Sequence, residues 1–227
     1  MNDKDEMIKL FDSADDDVLR SLSADHYAMH MLRWMNPKTY ASSLELACGN
    51  GKVAKFIKQF RPDLDYSCMD ICPTLTKTAQ ELNPGMKVFT GDCLKCIPCG
   101  RYDFIISWSF VQYLSLKEYT GLNRMLLGHL NPNGEIWHFS IPDNTKRWEH
   151  TMAPRNTKLS KVKGLARYLL DSFKRPYGPA SIWHDPVELL TSLDHKNIQS
   201  TFFQPGDVDY RFHIRIKKRF EQNGKRQ

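Results

Sequence analysis

"LELACGNGK", residues 44–52, runs an apolar strand straight into Gly49, Asn50 and Gly51, with a carboxylate, Glu45, inside the apolar run. The chain has only 12 glycines, so two within three positions mark a turn where backbone must come close to something. "GKVAKFIKQF" follows with helical spacing of its apolar residues, and the whole stretch reads strand, glycine turn, helix.

Working outward, the same alternation recurs. "DYSCMD" is followed by the helix pattern "PTLTKTAQEL", then "MKVFTG", "YDFIISWS", the amphipathic "LKEYTGLNRMLLGHL", the turn "NPNG" and the apolar strand "EIWHFSI". Strands apolar on both faces and separated by helices predict a parallel sheet covered on each side. "NIQSTFFQP" and "YRFHIRI" are joined by "GDVD" with no helix between them, so the sheet is expected to finish with an antiparallel pair. The expectation is an α/β, doubly wound, mostly parallel seven-stranded sheet with an antiparallel final strand.

At 227 residues and 26.4 kDa the chain can bury one sizeable core, and a single domain is the default. No run of about 18 apolar residues is present, and the acidic "MNDKDEMIKLFDSADDD" lacks an apolar signal region, so a cytoplasmic protein without a membrane partner is expected. Its six cysteines then read as reduced thiols. Cys93, Cys96 and Cys99 stand at two-residue gaps but supply three ligands without a clear fourth, and no metal is expected.

In a parallel sheet the loop leaving the first strand lies at the carboxyl edge, beside a helix N-terminus, where ligands bind. "GNGKVA" fits the dinucleotide pattern G-x-G-x-x-G/A, a weak signal alone. Asp70 ends the next strand 21 positions after Gly49, where a carboxylate can accept hydrogen bonds from both hydroxyls of a ribose. The pair favours an adenosine-containing cofactor, either S-adenosylmethionine or a nicotinamide dinucleotide.

Further residues separate the two. "ELACGNG", with Glu45 as the acid and Ala47 replacing the first glycine, resembles the first motif of the class I S-adenosylmethionine-dependent methyltransferases. The resemblance continues through Asp70 as the ribose acid, "GDC" with Asp92 toward the adenine amino group, "YDFIISWSFVQYL" and "LNPNGEIWHFSIP", over roughly residues 40–142. It implies a Rossmann-like fold and a cofactor, S-adenosyl-L-methionine with S-adenosyl-L-homocysteine as product, held by Glu45, Ala47, Cys48, Gly49, Asn50, Gly51, Asp70, Ile71, Asp92, Cys93 and Trp108. Within it, Glu45 and the glycine loop suit the amino acid end, Ile71 and Cys93 the adenine slot, and Trp108 the sulfonium region.

Methyl transfer is an in-line displacement in which the protein mainly aligns the acceptor and excludes water. A base serves only where the acceptor hydroxyl is a weak nucleophile. His138, Asp143 and Tyr113 are the catalytic candidates, with Ser140, His184, His26 and Tyr27 as further edge residues, while a histidine in an apolar strand, such as His138 or His213, is more often a core residue. The fourth strand ends "SWSF", without the N-P-P-[YFW] box of amino-directed nucleic-acid methyltransferases. Residues 144–175 carry nine Lys or Arg against two acids, a local +7 in a chain of net +6, which suits an anionic acceptor. The expected layout is a helical segment at 1–39, a cofactor core at 40–143, a basic helical cap at 144–181, and a last helix with the closing strand pair at 182–227. The expected activity is methylation, at oxygen, of a small hydroxylated or anionic metabolite such as a sugar, nucleotide sugar or phosphorylated intermediate. An RNA-modifying methyltransferase and a non-catalytic adenosine-cofactor-binding protein are the alternatives.

Overall fold

The computed structural model describes residues 24–39, 41–152, 182–205 and 210–219. Seven strands, β1 (Ser42–Leu46), β2 (Asp65–Asp70), β3 (Lys87–Thr90), β4 (Tyr102–Trp108), β5 (Leu130–Pro142), β6 (Ile198–Phe203) and β7 (Arg211–Lys218), form one sheet. Its order is β3-β2-β1-β4-β5-β7-β6, parallel from β3 to β5, with β7 antiparallel to both of its neighbours. Successive strands step outward from β1 to β3, and then the chain returns to lay β4 on the other side of β1. This reversal opens a crevice beyond the carboxyl ends of β1 and β4.

The helices are α1 (Ala24–Met35), α2 (Lys52–Phe60), α3 (Pro73–Leu82), α4 (Leu116–Gly128), α5 (Arg147–Met152) and α6 (Pro186–Thr191). Alternation along the strands sends neighbours to opposite cores. Leu44, Leu46, Ile105 and Ile136 pack with Tyr119, Leu122 and Leu126 of α4 and Leu189 of α6. Tyr66, Cys68, Ile106, Trp137 and Phe139 pack with Ala28 and Met31 of α1 and Ala54 and Ile57 of α2. Glu45, between Leu44 and Leu46, therefore points to the α1–α2 side.

Local signals set the helix starts. Ser115 accepts from the Glu118 backbone N–H while the Glu118 side chain accepts from Ser115, a reciprocal cap for α4. Pro73 opens α3, and Asp185 accepts from the N–H groups of Val187 and Glu188 at the head of α6.

"NPNG" differs from the sequence expectation of a turn preceding the strand. It is a bulge inside β5: Tyr102 pairs with Leu130 and Phe104 with Glu135, leaving the four residues between as the irregularity. Asn133 takes φ 66, and a β-carbon on Gly134 would lie 2.8 Å from the Tyr102 carbonyl oxygen. Asp103 anchors the bulge by accepting from Asn131 Nδ2 at 2.9 Å and from Ser42 N–H at 2.8 Å.

The expected N-terminal helical segment is described only from α1 onward. Of the expected cap at 144–181, the described part is a 3-10 turn, Asn144–Lys146, and α5, and the rest lies outside the described residues, as does "GDVD". No described helix is long and apolar enough to cross a membrane.

Candidate active site

The loop after β1 bends through three left-handed residues: Ala47 (φ 53), Gly49 (φ 56) and Gly51 (φ 73). Ala47 occupies such a conformation with a β-carbon present, at a cost of about 1–2 kcal/mol. The two glycines serve different ends. A β-carbon on Gly49 would meet nothing within 4 Å, so its bare backbone faces open space. A β-carbon on Gly51 would lie 2.8 Å from the Ala79 β-carbon and 2.9 Å from Asn83 Nδ2. Gly51 thus admits α3 and the Asn83 that follows it, whose side chain donates to the Gly51 carbonyl at 3.1 Å.

Asp70 ties the loop to β2. One carboxylate oxygen accepts from Gly49 N–H at 2.9 Å and the other from Cys72 N–H at 2.9 Å. Burial raises the Asp70 pKa, against which the backbone N–H bonds act. Glu45 is more enclosed, at 2% exposure, and Tyr66 Oη donates to it at 3.1 Å. Burial pushes its pKa up to about 8; the Tyr66 bond lowers it and the Asp70 charge raises it.

Asn50, just before the start of α2, accepts from Lys52 N–H through its side-chain oxygen at 3.3 Å. Cys48 is buried, and its N–H donates to the Met69 carbonyl at 3.1 Å. Ile71 is half-buried on the loop after β2. Asp92, after β3, accepts from Leu94 N–H at 3.0 Å, and Cys93 beside it is buried. Among the described residues no group of three or more His, Cys, Asp or Glu is placed to hold a metal, and Cys96 and Cys99 are exposed thiols.

Trp108, at the end of β4, is half-buried in an aromatic group that the sequence reading did not assemble. Tyr27 of α1 lies over it at 4.5 Å between ring centroids, Phe139 stacks on it at 5.5 Å, and His30 meets it edge-on at 5.7 Å. His30 Nε2 and His213 Nε2 are 2.8 Å apart. Because Ser140 N–H donates to His213 Nδ1 at 3.0 Å, the neutral His213 carries its proton on Nε2 and donates it to His30. The available signal was the spacing of His26, His30 and Trp34, four residues apart on one face of α1.

The three catalytic candidates fall in different settings. His138 has no exposed surface: Nδ1 meets Ser107 Oγ at 2.8 Å and Nε2 meets Asn123 Oδ1 at 3.0 Å. Burial depresses its pKa to about 3. It is a core residue with both nitrogens occupied, which removes it as a proton acceptor for a bound substrate. Asp143 is buried, accepts from the N–H and hydroxyl of Thr145, and bridges in parallel to His184. Its visible work is to hold the chain leaving β5. Tyr113, half-buried at the end of a 3-10 turn (Val111–Tyr113), stays at the carboxyl edge; burial raises its pKa, opposed by Gln112 and by the charge of Arg211. His184 donates from Nε2 to the Val111 carbonyl at 3.0 Å and so fastens that turn.

Arg211, the first residue of β7, completes the edge and was not singled out in the sequence, where it reads as one more strand cation. Its Nη1 lies 2.7 Å from the Ser140 carbonyl, 3.2 Å from Ser140 Oγ, 3.4 Å from Ser109 Oγ and 3.5 Å from Gln112 Oε1. Antiparallel pairing of β7 with β5 brings it there, opposite Pro142.

A glycine loop at a topological reversal, with an acid at the next strand end, is where open α/β sheets bind their ligands. The family described as "Methyltransferase domain" matches residues 44–134, the stretch that builds this crevice from β1 through the β5 bulge. Residues 44–134 thus match a methyltransferase domain, and the match supports an S-adenosylmethionine-dependent methyltransferase with S-adenosylmethionine as cofactor. Similar solved structures include the plantazolicin methyltransferase BpumL in complex with S-adenosylhomocysteine, 16% identical, with 95% of this chain and 90% of that one covered at a TM-score of 0.59. CalS10, an amino pentose methyltransferase from Micromonospora echinaspora involved in calicheamicin biosynthesis, is 12% identical over 87% and 93% of the two chains, with a TM-score of 0.59. DesVI from Streptomyces venezuelae is 13% identical over 94% and 98%, with a TM-score of 0.63. At these identities the likeness is one of fold. No curated protein matches the sequence.

Proposed function

We propose that the enzyme methylates an oxygen of a small hydroxylated or anionic metabolite, with the cofactor seated across the loops after β1, β2 and β3. The observation that carries the seating is the bare face of Gly49 beside Asp70, where the missing β-carbon leaves open space and the carboxylate is pinned by the Gly49 and Cys72 N–H groups. Asp70 receives the ribose hydroxyls there. Glu45 and the backbone at Ala47–Gly51 receive the amino acid end, the ammonium drawing the buried carboxyl into its ionised form. Ile71, Asp92 and Cys93 border the adenine, and Trp108 faces the sulfonium region.

Bound S-adenosylmethionine supplies an activated methyl electrophile, and the remaining work is alignment and exclusion of water. Tyr27, His30 and Trp108 wall the α1 side with aromatic surface, which turns water away without demanding hydrogen bonds. Tyr113 ends the 3-10 turn that follows β4, its phenol kept neutral by burial and of a kind that can donate to or accept from an acceptor hydroxyl. The amino pentose acceptor named for CalS10 favours a small acceptor over RNA for this chain too.

The test has two parts. Calorimetry on the purified protein should give micromolar S-adenosylhomocysteine binding that weakens at least about tenfold in Asp70→Ala. Transfer of labelled methyl from S-adenosylmethionine is then compared across sugars, nucleotide sugars, phosphorylated metabolites and mixed RNA. Label appearing in RNA alone, with binding that falls steeply with salt, would assign the RNA reading instead.

A further inference from the structure

We infer that Arg211 is the anchor of an acceptor subsite for a monoanionic two-oxygen group, a carboxylate before all others, at the carboxyl edge of β4, β5 and β7. The inference rests on the acceptor reading above and adds to it the group that is gripped. Four oxygens, from Ser140 (two), Ser109 and Gln112, crowd one nitrogen of the guanidinium, Nη1, at 2.7–3.5 Å. All four are neutral. Among the described residues no carboxylate pairs with Arg211, and its Nη2 and Nε have no protein acceptor. Held from one side, the guanidinium presents its other edge, two parallel N–H donors in a rigid fork, which matches the two oxygens of a carboxylate.

The supporting residues are themselves held in an unusual way. Ser109 and Ser140 both take left-handed backbone, at φ 52 and 60, although neither is glycine. Such conformations persist where the surroundings over-determine them, and here the two come from the ends of adjacent strands to meet the same nitrogen. The register shift between His138 and Ile141 places Ser140 so that its carbonyl turns toward β7. Tyr210 adds its ring at 5.4 Å from the guanidinium carbon, limiting the cation's other face. A single positive charge in neutral company balances one negative charge, so a carboxylate, or one phosphodiester of a nucleotide sugar, is preferred to a phosphate dianion. Ser109 follows Trp108 directly, which puts this anchor one residue from the wall facing the reacting methyl group. An acceptor with its anion on Arg211 would have its hydroxyl oriented toward that wall.

The experiment reads the guanidinium itself. Nitrogen-15 spectra of the arginine Nε–H groups are recorded for the protein saturated with S-adenosylhomocysteine and again without it, during titration with glycolate, inorganic phosphate or glycerol. Arg211→Lys assigns the signal by its loss. The expected result is a saturable shift of the Arg211 signal with glycolate, a weaker response to phosphate and none to glycerol. Ser109→Asp, which keeps the arginine and both strand ends and tolerates left-handed backbone, offers a carboxylate of its own and should weaken glycolate binding about tenfold or more. An Arg211 signal that shifts only when every exposed arginine shifts, or glycolate binding unchanged by Ser109→Asp, would reduce Arg211 to a staple for the β5 bulge. Phosphate binding ahead of glycolate would overturn the monoanion assignment. Failure of S-adenosylhomocysteine to bind in calorimetry bears on the cofactor reading instead, since the glycolate titration of the cofactor-free protein still reports on Arg211.

Discussion

Replacing Glu45 by Gln should uncouple cofactor binding from pH. The carboxyl is 2% exposed, and burial holds its pKa up at about 8, so near pH 7 only about a tenth of the unliganded protein carries the anion. An ammonium seated against it needs that anion. Below about pH 8 each unit of acidification should therefore weaken S-adenosylhomocysteine binding by about tenfold, or about 1.4 kcal/mol, relative to the Gln variant, whose ratio to wild type cancels the ligand's own titration. Binding near pH 6.5 should release close to one proton per ligand, read from how the calorimetric heat varies with the ionisation enthalpy of the buffer. The Gln variant keeps an acceptor for Tyr66 Oη and should release none. Stability moves the opposite way. Because the folded-state pKa lies above the ordinary value of 4.5, the unliganded protein is most stable below that value and loses stability as pH rises through about 8, by up to about 1.4 kcal/mol per unit, and the variant escapes this loss. Parallel pH profiles for wild type and variant, with no proton release, would refute the placement of the ammonium at Glu45.

The two glycines should separate in mutation. Gly51→Ala, striking Ala79 and Asn83, should cost roughly 2–4 kcal/mol in chemical denaturation, whereas Gly49→Ala should cost about 1 kcal/mol and show its main effect as lost S-adenosylhomocysteine affinity. Ala47→Gly relieves a left-handed alanine and should raise stability by up to about 1 kcal/mol, a gain of about 2–4 °C in the melting temperature. His138→Ala, which strands Ser107 and Asn123 and opens a cavity, should cost roughly 2–4 kcal/mol while the cofactor dissociation constant stays the same; a catalytic His138 would instead lower turnover without the stability loss. Cys96→Ser with Cys99→Ser should change stability by less than about 0.5 kcal/mol, and elemental analysis should return no stoichiometric metal from wild type; one equivalent lost in the double variant would restore the thiol cluster as a ligand set.

The strand-end loops proposed to hold the cofactor were legible in the chain because their signals are short and local. An acid inside an apolar strand, a glycine turn, and a second acid at the next strand end all keep their meaning whatever packs around them, and the alternation of strand and helix gives their placement at one sheet edge. The sheet's closing hairpin was readable for the same reason: two strand patterns with a short polar join leave no room for a crossover. What Gly51 is for could not be read there, since its β-carbon is forbidden by Ala79 and Asn83, which only the packing of α3 brings near. His138 and His213 look alike in sequence, each a histidine in an apolar strand. The first is sealed between Ser107 and Asn123, while the second meets His30 beside Trp108, and the difference arises from which face of the sheet each strand turns toward α4 or α1. Arg211 depends most on tertiary structure. Its partners Ser109, Gln112 and Ser140 stand about 70 to 100 positions away, and only antiparallel pairing of β7 against a bulged β5 brings the four together.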